Sequence, residues 1–237
     1  MLDIEKRMKK YQVDQHLTDN LPVIVWLDGR AFHTLTRGME KPDSRIEAMM
    51  DYVAMALCSD AANAKLAYIQ SDEISLLLCK NDPFGTNWFD NRKSKIESVS
   101  ASMASATATQ FYDKEIKPDG PLVMFDSIAF VMPFHDVENF FIWRQMDWER
   151  NCLNMLCQNY CSSKELEGKN REELKELLRL NGKRWELLPP RLTRGRCVIR
   201  QNGKWSVDNY VPNFANGRNY IRRLIDWSTN VQTAEQS

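Results

Sequence analysis

The chain twice runs an almost unbroken apolar segment directly into acid. Val23-Ile24-Val25-Trp26-Leu27 leads into Asp28-Gly29-Arg30, and Leu66-Ala67-Tyr68-Ile69 leads through Gln70 into Ser71-Asp72-Glu73. Short apolar runs bounded by turn residues read as buried strands. A carboxylate at the end of a buried strand is costly unless positive charge lies beside it. Laid side by side, the two strands would bring Asp28 and Asp72 together, and close carboxylates repel unless a cation bridges them. Oxygen donors with a backbone carbonyl nearby suit magnesium, which keeps waters and takes phosphate oxygens. The pattern therefore points to metal-assisted phosphoryl or nucleotidyl transfer.

The chain has 237 residues, 43% of them hydrophobic, enough for a sizeable core without staples. Lys+Arg and Asp+Glu both number 32, so the formal charge is zero and a nonspecific nucleic-acid coat is not expected. An RNA partner would need a local basic face, for which Arg171–Arg184 and Arg191–Arg200 are the candidates. Six scattered cysteines without a Cys-x-x-Cys pair, and only three histidines, argue against zinc and for reduced thiols in a cytoplasmic protein. With no leading apolar segment and no long apolar run, neither secretion nor a membrane span is expected.

Along the chain, 1–16 reads as a charged helix with Ile4, Met8 and Tyr11 on one side, and 21–27 as a buried strand. Asp43 and Ser44 cap a helix to about Ser59; strands follow at 66–70 and 74–79, with the acids in or beside their turn. A long helix is expected over 87–111, its Ser/Ala-rich part permitting close approach, then a strand at 122–132 and an apolar helix over 137–161. The order strand, helix, two strands, helix, strand specifies an α+β fold: a palm-like or ferredoxin-like antiparallel sheet with helices on one face. A charged helix over 163–180 and a hairpin around Gln201-Asn202-Gly203 form a small C-terminal region, and 211–237 ends polar and frays. The expected division is 1–135, the palm-like catalytic part, and 136–237, the long helix plus the C-terminal region, within one compact unit.

Four constellations carry chemistry. After Asp28-Gly29-Arg30 come Phe32, a ring to stack a base, His33, and in the same loop Lys41, which can hold a phosphate; Gly29 permits close backbone approach to an ion. Asp-Gly is also a common turn. Asp72 and Glu73 point to opposite faces of an extended chain, so Asp72 is chosen to join Asp28, with Glu73 as a supporting or alternative ligand. On the next helix Arg92 falls in an arc with Trp88, Ile96, Val99 and Met103, and Lys95 lies at its border. A guanidinium buried there needs a phosphate or an acid such as Glu73. Finally, Arg144, Asp147, Asn151 and Asn154 make a polar stripe that either faces solvent or offers Asn151 to a nucleotide, with Arg144 paired to Asp147.

In order along the chain stand Leu-Asp-Gly-Arg-Ala-Phe-His at 27–33, Lys-Pro-Asp-Ser-Arg at 41–45, Gln-Ser-Asp-Glu at 70–73, Asn-Trp-Phe at 87–89, Ser-Lys at 94–95 and Trp-Arg-Gln-x-Asp at 143–147. Together, over roughly 3–200, they resemble the tRNA(His) guanylyltransferase family and its guanylyltransferase-like 3′–5′ polymerases. The resemblance implies a polymerase-like palm that extends RNA at its 5′ end. It implies two magnesium ions on Asp28, the Gly29 carbonyl and Asp72, with Glu73 close by and Asp28, Asp72 and Glu73 as the catalytic set. Nucleotide contacts would come from Asp28, Gly29, Arg30, Ala31, Phe32, His33, Lys41, Ser71 and Asp72, and Arg92, Lys95 and Asn151 would hold triphosphate or the RNA 5′ end. ATP and GTP are the implied substrates, tRNA the partner, and a homotetramer the assembly.

Two departures qualify the match. Where eukaryotic members carry His-Ile-Asn-Asn-Leu-Tyr-Asn, this chain has Glu149-Arg150-Asn151-Cys152-Leu153-Asn154-Met155, agreeing only at Asn151 and Leu153. That resembles the bacterial and archaeal guanylyltransferase-like branch, which repairs 5′-truncated tRNA against a template. Trp26 stands where many relatives have Arg, which removes one expected phosphate contact. The alternatives are a tRNA(His) guanylyltransferase adding a single 5′ guanosine and a noncatalytic nucleotide- or RNA-binding module.

Overall fold

A computed structural model describes residues 3–225, apart from Pro83 and the side chain of Ser163; residues 226–237, part of the tail expected to fray, lie outside the described residues. The elements are α1 (Ile4–Lys9), β1 (Val23–Gly29), α2 (Phe32–Leu35), α3 (Ser44–Asp60), β2 (Ala64–Gln70), β3 (Glu73–Leu78), α4 (Lys93–Phe111), β4 (Phe125–Val131) and α5 (Phe134–Cys157). There follow α6 (Ser163–Leu166), α7 (Arg171–Leu180), α8 (Pro190–Thr193), β5 (Arg196–Gln201), β6 (Lys204–Asp208) and α9 (Asn219–Arg222). The strands form one sheet in the order β4-β1-β3-β2-β5-β6, antiparallel at every joint. The first four strands with α3 and α4 make the ferredoxin-like unit, and the β5–β6 hairpin extends it beyond β2.

Both faces of this sheet are covered, not one. Side chains alternate along a strand. Val23, Val25 and Leu27 of β1 and Ala67 and Ile69 of β2 pack with Met49, Met50, Val53 and Leu57 of α3 and Ile96 and Ala104 of α4. Ile24, Leu66, Tyr68 and Leu77 face the opposite way, onto Val137, Phe140 and Phe141 of α5. The C-terminal segment completes this second layer. Val211, Phe214, Tyr220, Ile221 and Ile225 are buried in it, so 211–225 is core and does not fray. The buried Gln145 pins that segment, donating from Nε2 to the Pro212 and Arg194 carbonyls at 3.0 and 3.2 Å and accepting from the Phe214 N–H at 2.7 Å.

The small side chains of α4 do bring it close to β4. Ser100 and Ser127 hydroxyls meet at 2.8 Å. Ser105 Oγ, Thr109 Oγ1 and Glu97 Oε1 accept from the N–H groups of Phe125, Val123 and Ala129. An edge strand that would otherwise offer open N–H groups is thereby satisfied.

Three boundaries differ from expectation. The helix after Asn87 starts only at Lys93, because Phe89, Asp90 and Asn91 all take left-handed φ angles of 50°, 52° and 54°. The segment before β1 holds that turn: Leu17 N–H donates to the Asn91 carbonyl, and His16 Nδ1 lies 2.8 Å from the Asp90 carbonyl. The N-terminal helix is six residues long and buries nothing. The 163–180 helix is two helices, parted at Gly168 (φ 76°) and restarted by Asn170, whose side chain caps α7.

Candidate functional site

β1 ends in the site. Asp28 lies inside the strand, directly opposite Glu73 of β3 and Asp126 of β4. Residues opposite each other share a face, so Asp126, Asp28 and Glu73 form a row of carboxylates across three strands, on the α5 side. Asp72 sits in the tight turn joining β2 to β3, and its carbonyl accepts from the Gly29 N–H at 3.0 Å. The acid-bearing neighbour of β1 is thus the β2–β3 turn and β3, not β2. Gly29 is required by space: a Cβ there would stand 2.5 Å from the Phe32 ring and 2.9 Å from the Asp72 Cβ.

Two further strained positions shape the site. Ala31 (φ 58°) turns the chain into α2, and Ser71 (φ 48°) makes the β2–β3 turn. Left-handed backbone costs a non-glycine residue about 1 kcal/mol or more, and such strain gathers where geometry is imposed for function.

These elements wall an open pocket of about 560 Å³, within the range of small-molecule and cofactor sites. Asp28, Gly29, Ala31, Phe32, His33, Lys41, Ser71, Asp72, Glu73 and Asn151 all line it. Phe32 is largely buried against Phe125, at 5.5 Å between centroids, so it is first a core residue whose ring flanks the pocket. Lys41 Nζ donates to Gln158 Oε1 at 3.1 Å, and Asn159 Nδ2 to the Lys41 carbonyl at 3.0 Å, which ties the 36–43 loop to the end of α5. Asn151 donates to Asp147 Oδ2 at 3.3 Å.

The carboxylates are electrostatically frustrated. Partial burial, then the charges of Asp72, Glu73 and Asp126, push Asp28 up to about 6, against the opposing pull of Arg144. Burial raises Asp72 as well, countered by the Ser71 hydroxyl and by His33. Glu73 is raised by burial and held down by Arg144 and the Trp26 N–H.

Arg144 was expected only to pair with Asp147. It does, at 3.1 Å, but its stronger contact is Glu73 Oε2 at 2.6 Å. Its side chain is 3% exposed, so this part of the polar stripe faces inward rather than to solvent. The guanidinium lies 4.7 Å from the Trp26 ring and 4.5 Å from the Trp143 ring. The side-chain amide of buried Gln70 lies against the same guanidinium. Trp26 donates to Glu73 Oε2 at 2.8 Å. Where an arginine would offer charge to phosphate, Trp26 instead braces Glu73. Glu73 is therefore committed to an ion pair, and Asp28, Asp72 and the Gly29 carbonyl offer oxygen atoms that could hold a cation, with Asp126 beside Asp28. Among the described residues no three His, Cys, Asp or Glu side chains form a ready cage. The donor set fits a hard cation that takes its remaining ligands from phosphate and water.

Several expected contacts are not brought here. Arg30 is exposed and meets the site only through its backbone, donating to the Met124 carbonyl at 2.8 Å. Arg92 is exposed rather than buried, and its partner is Asp14 at 3.0 Å, not Glu73. Arg92 and Lys95 sit at the other end of the sheet. Glu97 bonds Ala129, which pairs with Val25, whereas Ser105 and Thr109 lie beside the Asp28 end. The start of α4 is one turn further away still, so within one chain neither cation reaches the pocket. The Asn154 side chain donates to the Arg150 carbonyl on its own helix. The expected basic face is partly consumed internally: Arg196 is buried on Asp51, Arg191 pairs with Glu47 at 2.9 Å and Arg171 with Glu149. Asp126 and Arg196 are not legible as site residues, because their strand register, not their local sequence, brings them there, whereas Gln70 enters with the Ser71-Asp72-Glu73 turn that it precedes. All six cysteines are free, and among the described residues no helix is long and apolar enough to cross a membrane.

Comparison with known proteins agrees with this fold. The family model described as "Thg1: tRNAHis guanylyltransferase" matches residues 5–133. A probable tRNA(His) guanylyltransferase of Homo sapiens is 31% identical over 153 residues, 62% of this chain and 50% of that protein. One of Dictyostelium discoideum is 31% identical over 160 residues, 63% of this chain and 59% of that protein. The chain thus spans little more than half the length of these curated relatives. A bacterial tRNA(His) guanylyltransferase-like protein solved in complex with ATP superposes with a TM-score of 0.90 at 37% identity, over 94% of this chain and 100% of that one. One solved with GTP gives 0.81 at 34% identity, over 94% and 99%.

Proposed function

The chain belongs to the tRNA(His) guanylyltransferase family, and from that premise we propose that it is a 3′–5′ nucleotidyltransferase that adds nucleotides to the 5′ end of tRNA. The observation that carries the reading is the pocket that unites Asp28, Gly29 and Asp72 at the end of a palm-type sheet. The solved neighbours with ATP and GTP bound support a nucleotide as its occupant. A 5′-monophosphate oxygen of the RNA attacks the α-phosphorus of ATP and releases pyrophosphate. The 3′-hydroxyl of an incoming nucleoside triphosphate then attacks the activated 5′-phosphorus and releases AMP. A 5′-triphosphate end skips the first step.

Two magnesium ions on Asp28, the Gly29 carbonyl and Asp72 would lower the pKa of the attacking hydroxyl and neutralise the transferred phosphate. The chain's own residues divide the remaining work. Arg144, backed by Gln70, and Trp26 hold Glu73 so that it does not compete for the cation. Lys41 and Asn151 line the pocket where the triphosphate and its sugar would lie, and His33 offsets charge at Asp72. No side chain is assigned as general base.

Templated repair is preferred over addition of a single guanosine because the bacterial guanylyltransferase-like protein superposes with a TM-score of 0.90 at 37% identity, against 0.71 at 20% for the tRNA(His) guanylyltransferase of Saccharomyces cerevisiae. A substrate panel tests it. A tRNA lacking its first nucleotides, with the template bases unpaired, should be extended faster than full-length tRNA(His). The opposite order would assign single-guanosine addition, and binding of GTP without incorporation would make the chain a noncatalytic module.

A further inference from the structure

Two substrates must meet at Asp28, and the pocket accounts for one. It opens on the Asp72 side of the carboxylate row, toward α3 and the second half of α5. On the other side of the row, toward β4, the same sheet face carries an apolar patch. Ile128 lies directly opposite Trp26 and two residues from Asp126. Trp143 meets the Trp26 ring edge-on at 5.8 Å, and Met146 stands one turn along α5 on the same face. Ile128, Trp143 and Met146 are 48%, 50% and 64% exposed.

Trp143 is exposed yet fixed. Arg144 backs its ring at 4.5 Å and is itself locked by Glu73 and Asp147, while Phe140 abuts it at 5.8 Å. An indole braced by a buried guanidinium, with its remaining surface in solvent, is a preformed stacking platform. Its neighbours select the occupant. A second protein surface laid here would have to bring its own cations to Asp28 and Asp126, because a buried unpaired carboxylate is costly. A nucleobase on Trp143 would place its attached phosphate beside those carboxylates, where the proposed reaction already requires cations. The β4 edge itself is taken by α4, so only the face is free.

We propose that Trp143, flanked by Ile128 and Met146, stacks the 5′-terminal base of the RNA acceptor, leaving the pocket to the nucleoside triphosphate. This rests on the nucleotidyl-transfer reading. The test uses the full chain and a synthetic acceptor-stem hairpin with a 5′-triphosphate and 2-aminopurine as its first base. Wild type should quench the 2-aminopurine. Trp143→Ala should lose that quenching and raise the KM for the hairpin on the order of tenfold, the usual cost of losing one base–aromatic stack. Trp143→Phe should retain most of both, and the KM for GTP should stay within about twofold in each. Unchanged quenching and hairpin KM in Trp143→Ala would overturn the proposal. So would equal losses for hairpin and GTP, which would reduce Trp143 to a brace for Arg144. A fall in oligomeric state with hairpin KM unchanged would also overturn it, making the patch an interface between copies. Quenching by wild type, lost in Trp143→Ala, without any nucleotide transfer would uphold the platform and sink the enzymatic reading instead.

Discussion

Replacing Arg144 by alanine should be among the most damaging single changes near the site, and the structure sets its size. The guanidinium is 3% exposed and bonds Glu73 at 2.6 Å and Asp147 at 3.1 Å, while Glu73 and Asp147 are about one-fifth exposed, at 19% and 21%. Removing one member of a buried pair leaves the other charge desolvated and costs about 3–5 kcal/mol. Glu73 keeps the Trp26 N–H and some water, so the lower end applies, about 3 kcal/mol. For a chain of this length that corresponds to a fall in Tm of about 6–12 °C. The loss should depend on pH with a definite sign. Without Arg144 the Glu73 carboxyl, already raised by burial, rises further. The penalty is then largest above that raised pKa and shrinks as pH falls toward the unfolded value of about 4.5. Arg144→Met combined with Glu73→Gln removes both charges and should return to within about 1 kcal/mol of wild type. Urea denaturation of Arg144→Ala and of the four members of the Arg144→Met/Glu73→Gln cycle at pH 8 and pH 5 measures this. A cost below about 1 kcal/mol for Arg144→Ala at pH 8, or strictly additive effects of Arg144→Met and Glu73→Gln, would refute the reasoning.

Asp28→Asn should stabilise the protein without divalent ions at pH 8, because the native carboxylate is strained by its neighbours. Its folded pKa of about 6 exceeds the unfolded value, so the advantage fades as pH falls through 6 and is gone below about 4; thermal melts in EDTA across pH 4–8 check this. Magnesium should reverse the order, stabilising wild type and not Asp28→Asn. Gly29→Ala should cost about 1–3 kcal/mol by driving a methyl group into the Phe32 ring and Asp72, and should lower transfer more than stability alone explains, read by comparing Tm with kcat.

The ferredoxin-like unit was legible because each strand and helix carries its own signal. Asp43 caps α3 as read, accepting from the Arg45 N–H at 2.9 Å, and Asn202-Gly203 turns the β5–β6 hairpin. The second helical layer was less visible, although its trace was present: β1 is apolar at both odd and even positions, which a strand needs only when both faces are covered. The wheel over 87–103 failed at Arg92 because three left-handed residues break the helix first, a conformation that Phe, Asp and Asn do not announce. At the site, the segments 28–33, 41 and 70–73 converge through the local turns that their sequences encode. Asp126 and the Arg144–Glu73 pair depend on β4–β1–β3 register and on the path of α5, contacts between residues 71 or more positions apart in the latter case. The C-terminal segment misled for a related reason. Its apolar residues are sparse and irregular, and they become core only because Gln145 and Tyr68 wait for them.

The central claim is that Asp28 and Asp72 together create a cation-dependent centre for nucleotide transfer. The most direct measurement is incorporation of labelled GTP into 5′-truncated tRNA by Asp28→Ala and Asp72→Ala, alongside melts that verify folding. The expected result is intact melts with incorporation at least about 10³-fold below wild type in each variant, comparable to losing a key electrostatic element of an active site. Either variant, folded and incorporating at a rate near wild type, would contradict the account.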